Sequence, residues 1–277
     1  MVRIRQLRAL IRRQTQSWMR NALVPGHPGS PLALRQPAQA RLVTKTAAQA
    51  AHGADRPTVH VIRADMLTVA GTAARSANRG EKVAVLNMAS ANQPGGRVRT
   101  GAGAQEENLH RRSDLGRFLG QQRHELYPIP PATRLVSVDV TIFRGAEKDG
   151  YPIIDPFTID VVSCAAVPRP ELDWDRKYQH RGTEDAMRGQ VEVLMDAAEQ
   201  TRCTALILSA FGCGAYGNPP DVVADFFRRA LQRRWSRLRE VTLCIIDDHS
   251  AARWHNPRGN FTPFAETFRQ YGRDAME

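Results

Sequence analysis

From Thr58 onward the chain alternates short apolar runs with longer amphipathic ones, and this alternation restricts the fold more than any other feature. The strand-like runs are VHVI (59–62), VAVLN (83–87), LVSVDVTIF (135–143), IDVVSCAAV (159–167), ALILSAF (205–211) and VTLCII (241–246). Helix-like stretches fall between and around them at 66–79, 113–123, 183–201, 220–235 and 261–271. Strands alternating with helices predict an α/β fold whose central sheet is covered on both faces. In such sheets ligands bind just beyond the carboxyl ends of the strands. There is no internal repeat.

Residues before Thr58 read differently. Ile4, Leu7, Ile11 and Trp18 recur at helical spacing with arginines between them, which predicts a basic amphipathic helix over 3–21. Pro25, Pro28, Pro31 and Pro37 then interrupt any long element, so 24–40 reads as a linker or irregular wrap. The expected division is a basic extension over 1–57, packed on a main domain over 58–277. The net charge of +11 is concentrated in the same place. Arg3, Arg5, Arg8, Arg12, Arg13, Arg20, Arg35, Arg41 and Lys45 stand in the first 54 residues without one acid, whereas the remainder is close to balanced. Three readings fit: a helix packed on the domain with its arginines in water, a weak nucleic-acid contact, or a targeting segment.

A content of 42% hydrophobic and 24% charged residues is that of an ordinary globular chain. No apolar run reaches the roughly 18 residues that span a bilayer, and no apolar core follows the basic N-terminus as in a signal peptide. Cys164, Cys203, Cys213 and Cys244 are widely spaced and form no CxxC pair. They read as reduced thiols of a cytoplasmic protein, with neither a disulfide framework nor a metal site. Asp247, Asp248, His249 and His255 match no familiar ligand spacing. No membrane partner is expected, and the chain is expected to be a monomer.

Two glycine-rich loops follow strand-like runs. The first contains PGGRVRTGAGAQEENL (94–109), in which a soft loop leads directly into Gln105, Glu106 and Glu107. The second is Gly212-Cys213-Gly214-Ala215-Tyr216-Gly217-Asn218, ahead of a helix near Pro219-Pro220. A glycine loop before a helix offers backbone N–H groups and a positive dipole end to phosphate. The Gly212-Gly214-Gly217 spacing alone is a weak dinucleotide signal. Asp221 and Asp225 arrive too early to be the acid that fingerprint requires, and the motif stands too late in the chain.

Together, VAVLNMASANQPGG, GAGAQEENLHRRSDL and SAFGCGAYGNPP resemble the bacterial-type poly(ADP-ribose) glycohydrolases, a branch of the macrodomain superfamily. The resemblance runs from about Val59 to about Phe268. It implies a three-layer α/β/α sandwich with a mixed central sheet, here carrying an N-terminal helical extension. It also implies hydrolysis of ribose–ribose bonds in poly(ADP-ribose) without a cofactor. The polymer, free ADP-ribose and ADP-ribosylated proteins are the implied partners. The family pattern is three glycines, a short spacer and Gln-Glu-Glu. Here the third glycine is replaced by Arg97, after Gly95 and Gly96, and Val98 to Ala104 form the spacer.

By that resemblance Glu107 is the catalytic acid, and Glu106 orients ribose hydroxyls. Gln105 belongs to the same signature and is implied as a substrate contact. Cleaving an O-glycosidic bond passes through an oxocarbenium-like state, and the leaving oxygen needs a proton. One carboxyl can give that proton and then, ionised, activate water. Acids also fill first helical turns for purely structural reasons. Asn87 corresponds to a distal-ribose contact, and Tyr216 replaces a family aromatic near that ribose. Gly95, Gly96 and Arg97 would lie against the diphosphate, as would Gly212, Cys213, Gly214 and Ala215 through backbone N–H groups. Asp65, at a helix start, is either an adenine contact or a helix cap. A non-catalytic ADP-ribose reader, a hydrolase of another ADP-ribosyl linkage and a nucleic-acid binder stand as alternatives.

Overall fold

The computed structural model describes residues 2–21, 23–24, 32–34, 40–44, 56–232, 235–248 and 252–271. The four prolines of the expected linker, together with Arg35, Lys45 and His249, lie outside the described residues.

The core is a seven-stranded mixed sheet in the order β3-β6-β7-β5-β8-β9-β4. Its strands are β3 (Arg41–Thr44), β4 (Thr58–Ile62), β5 (Val83–Met88), β6 (Thr133–Arg144), β7 (Ile153–Cys164), β8 (Ala205–Leu208) and β9 (Glu240–Cys244). Pairing is antiparallel from β3 to β7 and parallel from β7 across to β4. Strand β5 occupies the middle, and Val83 to Asn87 are all buried. A strand covered on both faces has no polar side to alternate, which is why VAVLN reads as a continuous apolar run. Because β5 and β8 are adjacent and parallel, the two glycine loops leave the sheet side by side at their carboxyl ends.

Helices cover the sheet in two groups. Helices α6 (Arg181–Thr201), α7 (Pro220–Leu231) and α8 (Phe261–Tyr271) pack one against the next. Helix α1 (Val2–Asn21) packs on α3 (Gln105–Arg112) and α4 (Leu115–Gln121), and α2 (Met66–Ser76) covers β5, β7 and β8. A short helix α5 (Arg123–Leu126) completes the set. The expected α/β/α arrangement is present. All four cysteines are buried and free. No described helix is long and apolar enough to cross a membrane.

The region before Thr58 holds strands that periodicity does not reveal. Leu23–Val24 (β1) and Leu32–Ala33 (β2) form a small antiparallel pair, and β3 joins the main sheet beside β6. Most of β3 is exposed, so as an edge strand it has no apolar alternation to read. Helix α1 lies on the domain: Ile11 and Thr15 are buried, and Trp18 meets Phe143 edge-on at 6.1 Å. The Arg144 guanidinium sits over the Trp18 ring at 4.1 Å. Burying a side chain such as Ile11 contributes about 1.5–3 kcal/mol.

Candidate active site

The first glycine loop runs from β5 to α3 and folds back on its own acids. Helix α3 begins at Gln105, so Glu106 and Glu107 stand inside its first turn. Its N-cap, Ala104, makes no side-chain cap bond and gives no capping signal in sequence. Both Glu106 oxygens accept from loop N–H groups, Oε2 from Ser90 at 2.8 Å and Oε1 from Gly95 at 3.0 Å. Glu107 Oε1 accepts from the Arg97 N–H at 2.8 Å. Glu107 Oε2 is buried and has no partner among the described residues.

This geometry explains the adjacent glycines. Gly96 has φ +49, and a Cβ there would meet Glu107 Oε1 at 2.7 Å and Glu106 Oε2 at 2.8 Å. Neither the left-handed backbone nor the close carboxylates tolerate a side chain. The N–H groups of this loop have partners within the chain: those of Gly95, Gly96 and Arg97 donate to Glu106, to the Gln93 carbonyl and to Glu107. The Gln105 side chain is engaged by backbone as well: its Oε1 accepts from the Met88 N–H at 2.8 Å and its Nε2 donates to the Leu86 carbonyl at 2.8 Å. The amide copies a neighbouring strand and clamps α3 to the end of β5. Arg97 itself has φ −98, an ordinary value for a side-chain-bearing residue, and its side chain is exposed.

Burial pushes Glu106 up to about 8; N–H donation from Ser90 opposes this, and the neighbouring Glu107 charge adds to it. The Asn87 side chain also pulls Glu106 down. Asn87 is buried opposite Ser163, donates to its Oγ at 3.0 Å, and keeps Oδ1 without a partner among the described residues. Two side chains without an earlier signal complete the wall. The Tyr127 hydroxyl is buried without a partner among the described residues, and burial and the Glu106 charge raise its proton affinity. His110 packs against Gly95, and burial, with the Arg111 charge, pushes it down to about 4.

The second glycine loop closes over the first. Burial and the charges of Glu106 and Glu107 raise the Tyr216 phenol, which a backbone contact from Ala91 pulls back. The loop is braced from outside by the Tyr178 hydroxyl on Asn218 Oδ1 (2.8 Å) and Asn218 Nδ2 on the Val167 carbonyl (2.8 Å). His255 Nε2 lies 2.8 Å from the Cys213 carbonyl, not at the thiol. Of the four residues expected to offer N–H groups, Cys213 has its own engaged, donating to the Ala210 carbonyl. No bond within the described residues engages the N–H groups of Gly214, Ala215 and Tyr216.

Asp65 stands apart from this group. Its Oδ1 accepts from the Thr68 N–H and caps α2, and both oxygens accept from Arg112 Nη1 at 2.9 and 2.7 Å. Burial raises its proton affinity, but the Arg112 pair outweighs that and the net shift is downward. Arg112 lies five residues beyond Glu107, about 7.5 Å of helical rise. The cap reading is therefore the one the contacts favour. Ser113 caps through its hydroxyl, which donates to the Leu109 carbonyl and accepts from the Leu115 N–H, whereas Asp114 accepts from the Thr141 N–H and ties α4 to β6. Asp247 accepts from Arg63 and from the Asn260 N–H. No cluster of three potential metal ligands occurs among the described residues.

Comparison with known proteins places these residues in context. The family model described as microbial-type PARG, catalytic domain, matches residues 2–143, which include α1, both acids and all but the last residue of β6. The poly(ADP-ribose) glycohydrolase of Thermomonospora curvata superposes with a TM-score of 0.72 at 23% identity, over 94% of this chain and 99% of that one. The same enzyme bound to the inhibitor ADP-HPD gives 0.71 at 22%, over 94% and 99%. The Deinococcus radiodurans glycohydrolase in complex with ADP-ribose gives 0.64 at 25%, over 79% and 86%. No curated protein sequence matches the chain.

Proposed function

The chain belongs to the microbial-type poly(ADP-ribose) glycohydrolase catalytic-domain family, and on that premise we propose that Glu107 is the acid/base that cleaves the ribose–ribose O-glycosidic bond to release ADP-ribose. The observation that carries this reading is the free Glu107 Oε2, buried at the junction of the two glycine loops. Proton affinity alone would nominate Glu106. Against Glu106 stands that both of its oxygens already accept from backbone N–H groups.

In the first half of the reaction Glu107 gives a proton to the departing ribose oxygen as the glycosidic bond breaks. In the second, the Glu107 carboxylate takes a proton from the water that adds to the oxocarbenium carbon. Glu106 retains further lone pairs, beyond those facing Ser90 and Gly95, on which ribose hydroxyls can donate. Asn87 Oδ1 is a second acceptor for a hydroxyl, and the Tyr216 ring covers the sugar. The N–H groups of Gly214, Ala215 and Tyr216 hold the diphosphate. The exposed Arg97 side chain reaches the same phosphates, with no strain from its backbone. Arg3, Arg5, Arg13 and Arg20 face solvent on α1 and offer a polyanion a weak, salt-sensitive surface.

Incubation with labelled poly(ADP-ribose) tests the assignment. Glu107→Gln should lower release of ADP-ribose by about 100- to 10,000-fold while leaving ADP-ribose affinity nearly intact. Substantial turnover by Glu107→Gln would remove the assignment.

A further inference from the structure

The glycines of the first loop that do not touch the acids face the N-terminal helix. A Cβ at Gly101 would lie 3.0 Å from the Arg5 carbonyl oxygen, and one at Gly103 would lie 2.0 Å from Arg8 Nη2. The Arg8 guanidinium therefore occupies the volume that any residue other than glycine would need at 103. Arg8 Nη1 donates to the Gly101 carbonyl at 3.3 Å. Its Nε and Nη2 meet Glu147 Oε1 at 2.9 and 2.8 Å. Glu147 Oε2 in turn accepts from the Tyr151 hydroxyl and Asn108 Nδ2, and Asn108 Nδ2 also donates to the Gly103 carbonyl.

A second line runs through Arg111, one helical turn beyond Glu107. Its Nε donates to the Arg8 carbonyl and its Nη2 to the Ala102 carbonyl. The loop is thus held at its far end by Arg8 and Arg111, and at its near end by the Arg97 N–H on Glu107 itself. A movement at the far end is transmitted to the carboxylate through only a few residues of backbone.

We propose that Arg8 is a positioning residue for catalysis: by filling the space against Gly103 it sets the loop that orients Glu107. This rests on Glu107 as the acid/base. The N-terminal helix is then part of the catalytic unit, although its arginines read in sequence as solvent-facing, as a nucleic-acid contact or as part of a targeting segment. A misplacement of about 1 Å costs on the order of 100-fold in rate, so a loosened loop is felt in turnover before binding.

The test is a double-mutant cycle in the full chain, assayed well below each variant's melting temperature. Arg8→Ala should lower kcat on poly(ADP-ribose) by about 10- to 100-fold with ADP-ribose affinity changed less than about threefold. Arg8→Lys, which keeps one charge but not the fork, should recover part of the loss. Gly103→Ala should be severe alone and mild in the Arg8→Ala background, where the space is vacant. If Arg8→Ala does not fold, kcat and ADP-ribose affinity of Arg8→Lys and Gly103→Ala decide in the same way. Unchanged kcat in Arg8→Ala, or an equal effect of Gly103→Ala in both backgrounds, overturns the proposal. Either result leaves Glu107 untouched provided Glu107→Gln remains inactive; turnover by Glu107→Gln would instead remove the premise.

Discussion

The two glycine loops leave adjacent parallel strands at the same end of the sheet, yet they use their backbones in opposite directions. The loop after β5 turns its N–H groups inward onto Glu106 and Glu107. The loop after β8 is braced from behind by Asn218, Tyr178 and His255, and its N–H groups at Gly214 to Tyr216 stay free. Glycine richness alone therefore does not identify a phosphate cradle. What separates the two cases is the neighbour: carboxylates lie within hydrogen-bond reach of the first loop and none is engaged by the second. On the proposed reading, one loop builds the catalytic group and the other is left to hold the ligand.

The sharpest way to break this comparison is to add a methyl group to the inward loop. Gly96→Ala places a Cβ against both carboxylates at a positive φ. A left-handed alanine costs about 1–2 kcal/mol, and displacement of Glu107 adds to that. Turnover should fall about 10- to 100-fold, with ADP-ribose affinity reduced far less. An equal loss of affinity in calorimetric titration would mean that the first loop also carries the diphosphate.

A second, intermediate effect lies in pH dependence. Burial keeps a proton on Glu106 up to about 8, well above its ordinary value of 4.5. Between these values the folded protein binds a proton that the unfolded chain has released, so stability falls as pH rises. Asp114, pushed up to about 6 by burial, has the same sign but is complete by neutral pH. His110, lowered to about 4, adds little slope above its ordinary 6.5. Between about pH 7 and 8 the melting temperature should drop by about 2–4 °C, and Glu106→Gln should flatten that drop. A slope that survives Glu106→Gln would show that the inward loop does not hold a buried proton.

Alternation and loop motifs make most of this architecture legible in sequence. The six strands after Thr58, the helices that follow them and the junction of Asn87, Glu106, Glu107 and Tyr216 all follow from runs of residues close together in the chain. What escapes is whatever depends on a distant surface. Strand β3 is an exposed edge with no period of its own. Gln105 looks like a ligand contact until Leu86 and Met88 are seen to take both ends of its amide. Gly101 and Gly103 read only as part of a soft loop, yet their neighbours are Arg5 and Arg8, nearly a hundred residues earlier. Tyr127 enters the site from beyond α5, with no local pattern to mark it.

The smallest expected effect concerns Arg97, which replaces a family glycine. Its negative φ removes the steric objection, leaving an exposed charge that the proposed function sets beside the diphosphate. Arg97→Ala should weaken ADP-ribose binding about two- to fivefold at low salt and less at high salt. Tighter binding by Arg97→Gly at both ionic strengths would identify the side chain as an obstruction.

The division of labour between the loops is tested most directly by a crystal structure with ADP-ribose bound. Diphosphate oxygens should lie within about 2.7–3.2 Å of the Gly214, Ala215 and Tyr216 N–H groups, with Glu107 Oε2 facing the distal ribose. Ser90, Gly95 and Arg97 should still donate to the two glutamates. A diphosphate seated on the N–H groups of Gly95 to Arg97, with that loop drawn off Glu106 and Glu107, would contradict this division.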